Sequence, residues 1–159
     1  MTCYCHTSQT ANFDKLDFKK LHPSGSLSIK LKTVSDLMLT GKKIPFISEN
    51  TLMKIALKII SKKGLGVLIV KNNKNVTSGI LTDGDLKRLS HKLENFHSLK
   101  IKKVMKKNPI SIDKNMLAAQ ALSIMNGEKI TSLCVHSGKK KNNTIGFIHI
   151  HNILKANIS

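Results

Sequence analysis

The chain has no tryptophan, one tyrosine and an aromatic content of only 4%. Proteins that grip single-stranded nucleic acid rely on aromatic stacking platforms, and readers of base edges favour arginine. Here every basic residue except Arg88 is a lysine, and the lysines are spread along the whole chain. A nucleic-acid-binding module is therefore the weaker reading of a formal net charge of +18. The stronger is a solvated lysine-rich surface that draws in small anions. Acidic residues are scarce, 9 against 27 basic, so any that cluster at one place call for an explanation. The three cysteines are an odd number, and Cys134 lies in the apolar run SLCV, which argues against a disulfide framework and for reduced thiols. Cys3-x-Cys5-His6 is too tightly spaced for a common zinc site and no second ligand pair follows, so no metal is expected. No apolar run reaches the roughly 18 to 20 residues of a membrane span, and MTCYCHTSQTANFDK has no basic start followed by an apolar stretch. The expectation is a cytoplasmic protein without a membrane partner.

What is present is a repeat. The 159 residues suffice for one domain or two small lobes sharing a core, and 40% of them are hydrophobic. PFISENTLMKIALKIISKKGLGVLIV (45–70) aligns with PISIDKNMLAAQALSIMNGEKITSLCV (109–135). A single gap brings Ile47 onto Ile112, Leu52 onto Leu117, Ala56 onto Ala121 and Val70 onto Val135. A polar turn follows each unit, and then SGILTDGDLKR matches IGFIHIHNILK. Even the lead-ins correspond, VSDLM (34–38) to IKKVM (101–105).

Leu52, Ile55, Ala56, Ile59 and Ile60 fall at helical spacing, as do Leu117, Ala121, Ile124 and Met125, with Asn50 or Ser48 and Asp113 as suitable N-caps. VLIV and SLCV are short and β-branched, and the Asn- and Gly-rich turns after them predict strand, turn, strand. A short helix closes each unit. The fold class is α/β (α+β), two β-α-β-β-α repeats of about 55 to 60 residues packed as a pseudo-twofold pair, since one copy alone leaves its apolar faces uncovered. Gly64-Leu65-Gly66 reads as a tight turn in which glycine lets the backbone approach a neighbour or ligand.

The stretch GILTDGDLKR (79–88) concentrates two of the few carboxylates at the end of a buried strand. An apolar strand ending Gly-x-x-Thr-x-x-Asp-Leu, with a Pro-x-Ile lead-in about thirty residues earlier, resembles the CBS domain, here as a tandem pair. LGVLIV, GILTDGDLKR, LAAQALSIM, KITSLCV and above all GFIHIHNILKANI resemble the regulatory half of the sugar-phosphate isomerases that interconvert D-ribulose 5-phosphate and D-arabinose 5-phosphate. Residues 13–31 resemble the end of that family's catalytic sugar-isomerase (SIS) domain, with its His-Pro-Gly-Gly motif standing here as His22-Pro23-Ser24-Gly25. The resemblance implies an N-terminal remnant over 1–32, one CBS domain over 33–92 and another over 98–159. It also implies a chain that begins inside, or is separated from, a longer isomerase. His22 matches a position lining the isomerase site, but isomerisation needs a base at carbon and an acid at the carbonyl. An orphaned linker histidine is therefore expected, and no catalytic residue.

The resemblance further implies a nucleoside ligand at the strand-to-helix corner, with no cofactor required. Thr82 offers a hydroxyl, Asp85 a carboxylate for vicinal ribose hydroxyls, and Lys87 or Arg88 a partner for phosphate. Asp83 is read as the helix cap; for Asp85 ligand contact is preferred, capping being the alternative. At the second corner His149 takes the threonine position and Asn152 the aspartate position, which replaces a charge-assisted bond by a neutral one. Ser132, Thr131 and Gly66 are expected to line the clefts. His149 and His151, alternating on a strand, raise a metal reading that the lack of a neighbouring carboxylate or cysteine disfavours. The expected ligand is an adenosine or cytidine nucleotide such as AMP, ATP or CMP-Kdo. The expected protein partners are a separate SIS polypeptide and a second copy of the chain, as a homodimer through the CBS pairs.

Overall fold

The structure, a computed structural model, describes residues 32–92 and 94–158, with side chains through residue 156. The chain opens with a lead-in of α1 (Val34–Leu37) and β1 (Leu39–Thr40). The first repeat follows as β2 (Phe46–Ser48), α2 (Met53–Lys63), β3 (Val67–Lys71), β4 (Thr77–Thr82) and α3 (Asp83–Lys92). After the short strand β5 (Lys106–Lys107) comes the second repeat: β6 (Ser111–Asp113), α4 (Ala118–Gly127), β7 (Ser132–His136), β8 (Gly146–His149) and α5 (Ile150–Ile158). The β-α-β-β-α order thus occurs twice, as the internal alignment predicts.

Each repeat is built the same way. In the first, β2 runs parallel to β3 with Ile47 opposite Val70; in the second, β6 runs parallel to β7 with Ile112 opposite Val135. β3 and β4 form an antiparallel hairpin, as do β7 and β8. On α2, Met53, Ala56 and Ile60 recur on one buried face while Lys54, Lys58 and Lys62 stay in water, the pattern of a helix lying on a sheet. Ile55, grouped with that face on spacing, is instead 43% exposed. The helix ends at Gly64, whose φ of 65° suits a left-handed C-cap, and its amide donates to the Ile60 carbonyl.

The lead-ins exchange partners. β1 does not join the repeat it precedes but pairs antiparallel with β8, and β5 pairs with β4, so the sheets run β2-β3-β4-β5 and β1-β8-β7-β6. The same exchange corrects the predicted helix caps. α2 starts at Met53 and α4 at Ala118, with Leu52 and Leu117 as N-caps, later than Ser48, Asn50 or Asp113 would place them. The free amide at each start is met by backbone from the lead-in: Met53 N donates to the Leu99 carbonyl, and Ala118 N to the Lys32 carbonyl. Asp113 instead accepts from the amides of Asn115 and Gly138 and holds a turn.

Successive residues on a strand face opposite ways, and both faces of the hairpins are covered. Leu68 and Val70 pack under α2 and α3 with Leu81 and Leu86, and Leu133 and Val135 under α4 and α5 with Ile148 and Ile153. Val67 and Ile69 face the other way, against Cys134 and Phe147 of the second repeat. The two sheets therefore meet through an apolar seam. At its margin the hydroxyls of Thr77 and Thr144, both buried, lie 2.7 Å apart, and Thr77 N donates to the Asn142 carbonyl. No described helix is long and apolar enough to cross a membrane.

Candidate functional site

The first strand-to-helix corner is closed by hydrogen bonds between two side chains. Thr82 ends β4; its hydroxyl accepts the amide of Asp85 at 3.2 Å, and the Asp85 carboxylate accepts the Thr82 amide at 3.0 Å. This is a capping box, with Thr82 at the N-cap and Asp85 three residues on. The expectation that Asp83 caps the helix is corrected accordingly. Asp83 is the first helical residue, and its own amide donates to the Gly66 carbonyl at 2.9 Å. Asp85 Oδ2 also takes the Thr82 hydroxyl at 2.7 Å, while Oδ1 takes Nη2 of Arg88 at 2.5 Å. Burial works to raise the Asp85 pKa, but the Thr82 hydroxyl and amide and the Arg88 guanidinium together hold it below the usual carboxylate value.

Gly66 is required where it stands. Its φ is 65°, and a Cβ there would come within 2.9 Å of Asp83 Oδ2. The turn at 64–66 thus draws the start of β3 against the start of α3. The second repeat makes the matching clip with the Thr131 carbonyl accepting the Ile150 amide.

A cleft of about 660 Å³ opens at this corner and runs across to the second repeat. It contains Gly66, Thr82, Asp85, Arg88, Ser132 and His149, all of them singled out on sequence, together with Thr131. Lys87 and Asn152 do not line it. Lys87 is exposed, and Asn152 uses its Oδ1 to accept the His149 amide at 3.0 Å. The segment from Lys106 to Ile110 and the turn of Glu128, Lys129 and Ile130 complete the wall. Sequence reasoning missed them. The only signal was the alignment of the two lead-ins, which does not reveal which sheet each one joins. His22 lies outside the described residues.

Charge in the cleft is mixed. Arg88, Lys106, Lys107 and Lys129 bring cations; Asp83, Asp85 and Glu128 bring anions. Asp85 is already paired with Arg88, whereas none of the three lysines is ion-paired among the described residues. An anionic ligand therefore meets unspent positive charge, and Ile80, Pro109, Ile110 and Ile130 offer apolar surface for a flat ring.

The second corner is the neutral counterpart. His149 stands opposite Ser132 as Thr82 stands opposite Val67. Burial, then the neighbouring His151, lowers the His149 pKa, which keeps the imidazole neutral at the cleft wall. His151 does not share a strand with it, because α5 begins at Ile150. Its amide donates to His149 Nδ1 and the two rings stack at 4.8 Å. Among the described residues no group of three or more His, Cys, Asp or Glu is placed to hold a metal.

Two hairpins each flanked by two helices, related by an internal repeat and joined by exchanged lead-ins, form the frame of a recognised family. The family model for the CBS domain matches residues 34–92 and again 101–159. The chain belongs to the CBS-domain family. This CBS pair is 35% identical over 147 residues to arabinose 5-phosphate isomerase KdsD of Yersinia pestis, covering 92% of the chain but 44% of that relative. It thus spans less than half the length of the curated isomerases it matches. The crystal structure of a CBS-domain containing protein from Agrobacterium tumefaciens shares the fold, with a TM-score of 0.70 and 20% identity over 79% of this chain and 93% of that one. CBSX2, solved in complex with AMP, superposes with a TM-score of 0.69 and 21% identity over 79% of this chain and 96% of that one.

Proposed function

We propose that this CBS pair is a non-catalytic regulatory module that senses a ribonucleotide and is related to arabinose 5-phosphate isomerase. The observation that carries the reading is the Thr82–Asp85 corner opening into a cleft with three lysines free of ion pairs. Asp85 is held ionised and oriented to accept ribose hydroxyls; Gly66 keeps the floor of the cleft open; the cations suit phosphate. CBSX2, of the same fold, is solved with AMP, in line with this. The ligand is an adenosine or cytidine nucleotide, with AMP, ATP and CMP-Kdo as the candidates. CMP-Kdo is included because the resemblance to arabinose 5-phosphate isomerase implies a link to the supply of Kdo, the sugar acid of lipopolysaccharide.

The module works in the cytoplasm with an SIS-domain catalytic part and as a homodimer through its CBS pairs. The exposed Ile55 and Leu154 on α2 and α5 support self-association. Calorimetric titration with AMP, ATP, CMP and CMP-Kdo tests the sensing. Saturable heat with one of them, lost in Asp85→Ala, is expected; no heat with any would refute it. Nucleic-acid binding remains the rival, and it predicts affinity that falls steeply with salt and ignores Asp85.

A further inference from the structure

The Asp85 carboxylate accepts three hydrogen bonds before any ligand arrives, two on Oδ2 and one on Oδ1. Oδ2 is turned into the corner and holds both the amide and the hydroxyl of Thr82. Oδ1 is the oxygen without a bond to Thr82, and Arg88 Nη2 sits on it at 2.5 Å. The two partners differ in freedom: the Asp85 side chain is 13% exposed and fixed by its box, whereas the Arg88 side chain is 65% exposed. Arg88 lies back over the first turn of α3, its guanidinium beside Gly84. Pivoting outward exchanges one water-accessible position for another. Resting on that nucleotide-sensing reading, we propose that Arg88 is a displaceable counter-ion on Asp85, which makes the cleft select ribonucleotides bearing a phosphate over the corresponding neutral nucleosides.

One acceptor position of Oδ1 is left beside the guanidinium, so a ribose diol engages Oδ1 with both of its hydroxyls only by displacing Arg88. A neutral nucleoside breaks a charge-assisted hydrogen bond and returns nothing to Arg88. A nucleotide gives the displaced guanidinium a phosphate to pair with, and the fork of Arg88 suits two phosphate oxygens at once. Arg88 thus opposes the nucleoside and favours the nucleotide, and both effects enter the ratio of affinities. The cleft lysines act on the phosphate alone, since none is bonded to Asp85. Removing one of them weakens AMP binding and leaves adenosine binding alone. Only an Arg88 substitution makes the nucleoside bind better.

The test is calorimetric titration of the full chain and of Arg88→Gln and Lys106→Gln with AMP and with adenosine. The wild type is expected to prefer AMP by at least about tenfold, the factor that one charge-assisted hydrogen bond supplies. Arg88→Gln should bind adenosine several-fold more tightly and AMP more weakly, collapsing the ratio, while Lys106→Gln weakens AMP only. If the wild type binds both and Arg88→Gln leaves adenosine affinity unchanged or lowers it, the counter-ion role is overturned and the sensing reading stands. Should neither AMP nor adenosine bind while CMP or CMP-Kdo does, the same comparison with cytidine and CMP decides it by the same criterion. If no nucleotide or nucleoside binds the wild type, both fall together. A urea melt of Arg88→Gln confirms that the variant is folded.

Discussion

Asp85 Oδ2 lies 3.0 Å from the amide and 2.7 Å from the hydroxyl of Thr82, so the aspartate proposed to meet the ligand also closes the start of α3. The two roles separate experimentally because an amide can do one of them. Asn152 already does so in the second repeat, accepting the His149 amide through Oδ1. Asp85→Asn is therefore expected to keep most of the stability while losing ligand affinity, whereas Thr82→Ala costs about 1 kcal/mol of stability, as the loss of an N-cap does. Chemical denaturation beside calorimetry checks both. Equal losses of stability in Asp85→Asn and Thr82→Ala would contradict the separation.

The Asp85 box also has a pH signature. Its folded pKa is lowered, so its contribution to stability is complete above the unfolded value near 3.8 and is lost as pH falls through the lowered folded value. His149 is likewise lowered, but from a higher starting point. The folded chain resists protonating it, so stability falls as pH drops below about 6.5, toward the lowered folded value. Urea midpoints measured between pH 5 and 8 should show this slope, and His149→Thr, which copies the first corner, should flatten it. A slope identical in the variant would assign it to another histidine.

Gly79 faces the exchanged strand directly. A Cβ there would come within 2.7 Å of the Lys106 carbonyl oxygen and 2.6 Å of Met105 Sδ. Gly146 faces Met38 in the same way, its added Cβ overlapping the sulfur. The methionine can move, but the backbone carbonyl of β5 cannot do so without leaving β4. Gly79→Ala is predicted to lower stability by about 1 to 3 kcal/mol, in the range of other overpacking changes. It should also speed amide exchange in residues 105–110, the segment that walls the cleft. Unchanged exchange there would show that β5 absorbs the extra methyl.

The buried hydroxyls of Thr77 and Thr144 tie the two sheets together at 2.7 Å. Either threonine alone replaced by valine leaves a partner hydroxyl buried, at a cost of about 1 to 3 kcal/mol, while the double substitution should be less damaging than the sum. Thr144 also bonds Cys134, whose thiol is pushed up to about 11 by burial. In a chain with Cys3 and Cys5 replaced by serine, the rate at which a thiol reagent labels Cys134 should therefore report opening of the seam, and should rise most in Thr144→Val. Labelling as fast as for a free thiol in the native state would place Cys134 outside the seam.

Much of this was legible in the chain itself. Period-3.6 spacing located the helices, and short β-branched apolar runs bounded by Asn- and Gly-rich turns located the strands, because both are local properties of sequence. The repeat alignment paired Ile47 with Ile112 and Val70 with Val135, and the fold sets Ile47 beside Val70 and Ile112 beside Val135 in the two sheets. Thr82, Asp85, Arg88, Gly66, Ser132 and His149 were picked out singly, and the cleft contains all six.

The caps were misjudged for a different reason. Asn50 and Asp113 are good local caps, but a helix start is equally satisfied by backbone from elsewhere, and residues 32 and 99 supply it. The sequence alone determined that there are two units of one design, since each carries its own buried periodicity and turn chemistry. Tertiary structure decided what a one-dimensional pattern cannot encode: that each lead-in completes the sheet of the other unit. That exchange brings Lys106 to Ile110 against the Thr82 corner and makes the cleft a property of the pair. It also set the state of Asp85, because whether a carboxylate caps, pairs or awaits a ligand depends on what stands within 3 Å of each oxygen. Spacing along the chain brings Thr82 and Arg88 near it, and only the fold aims them.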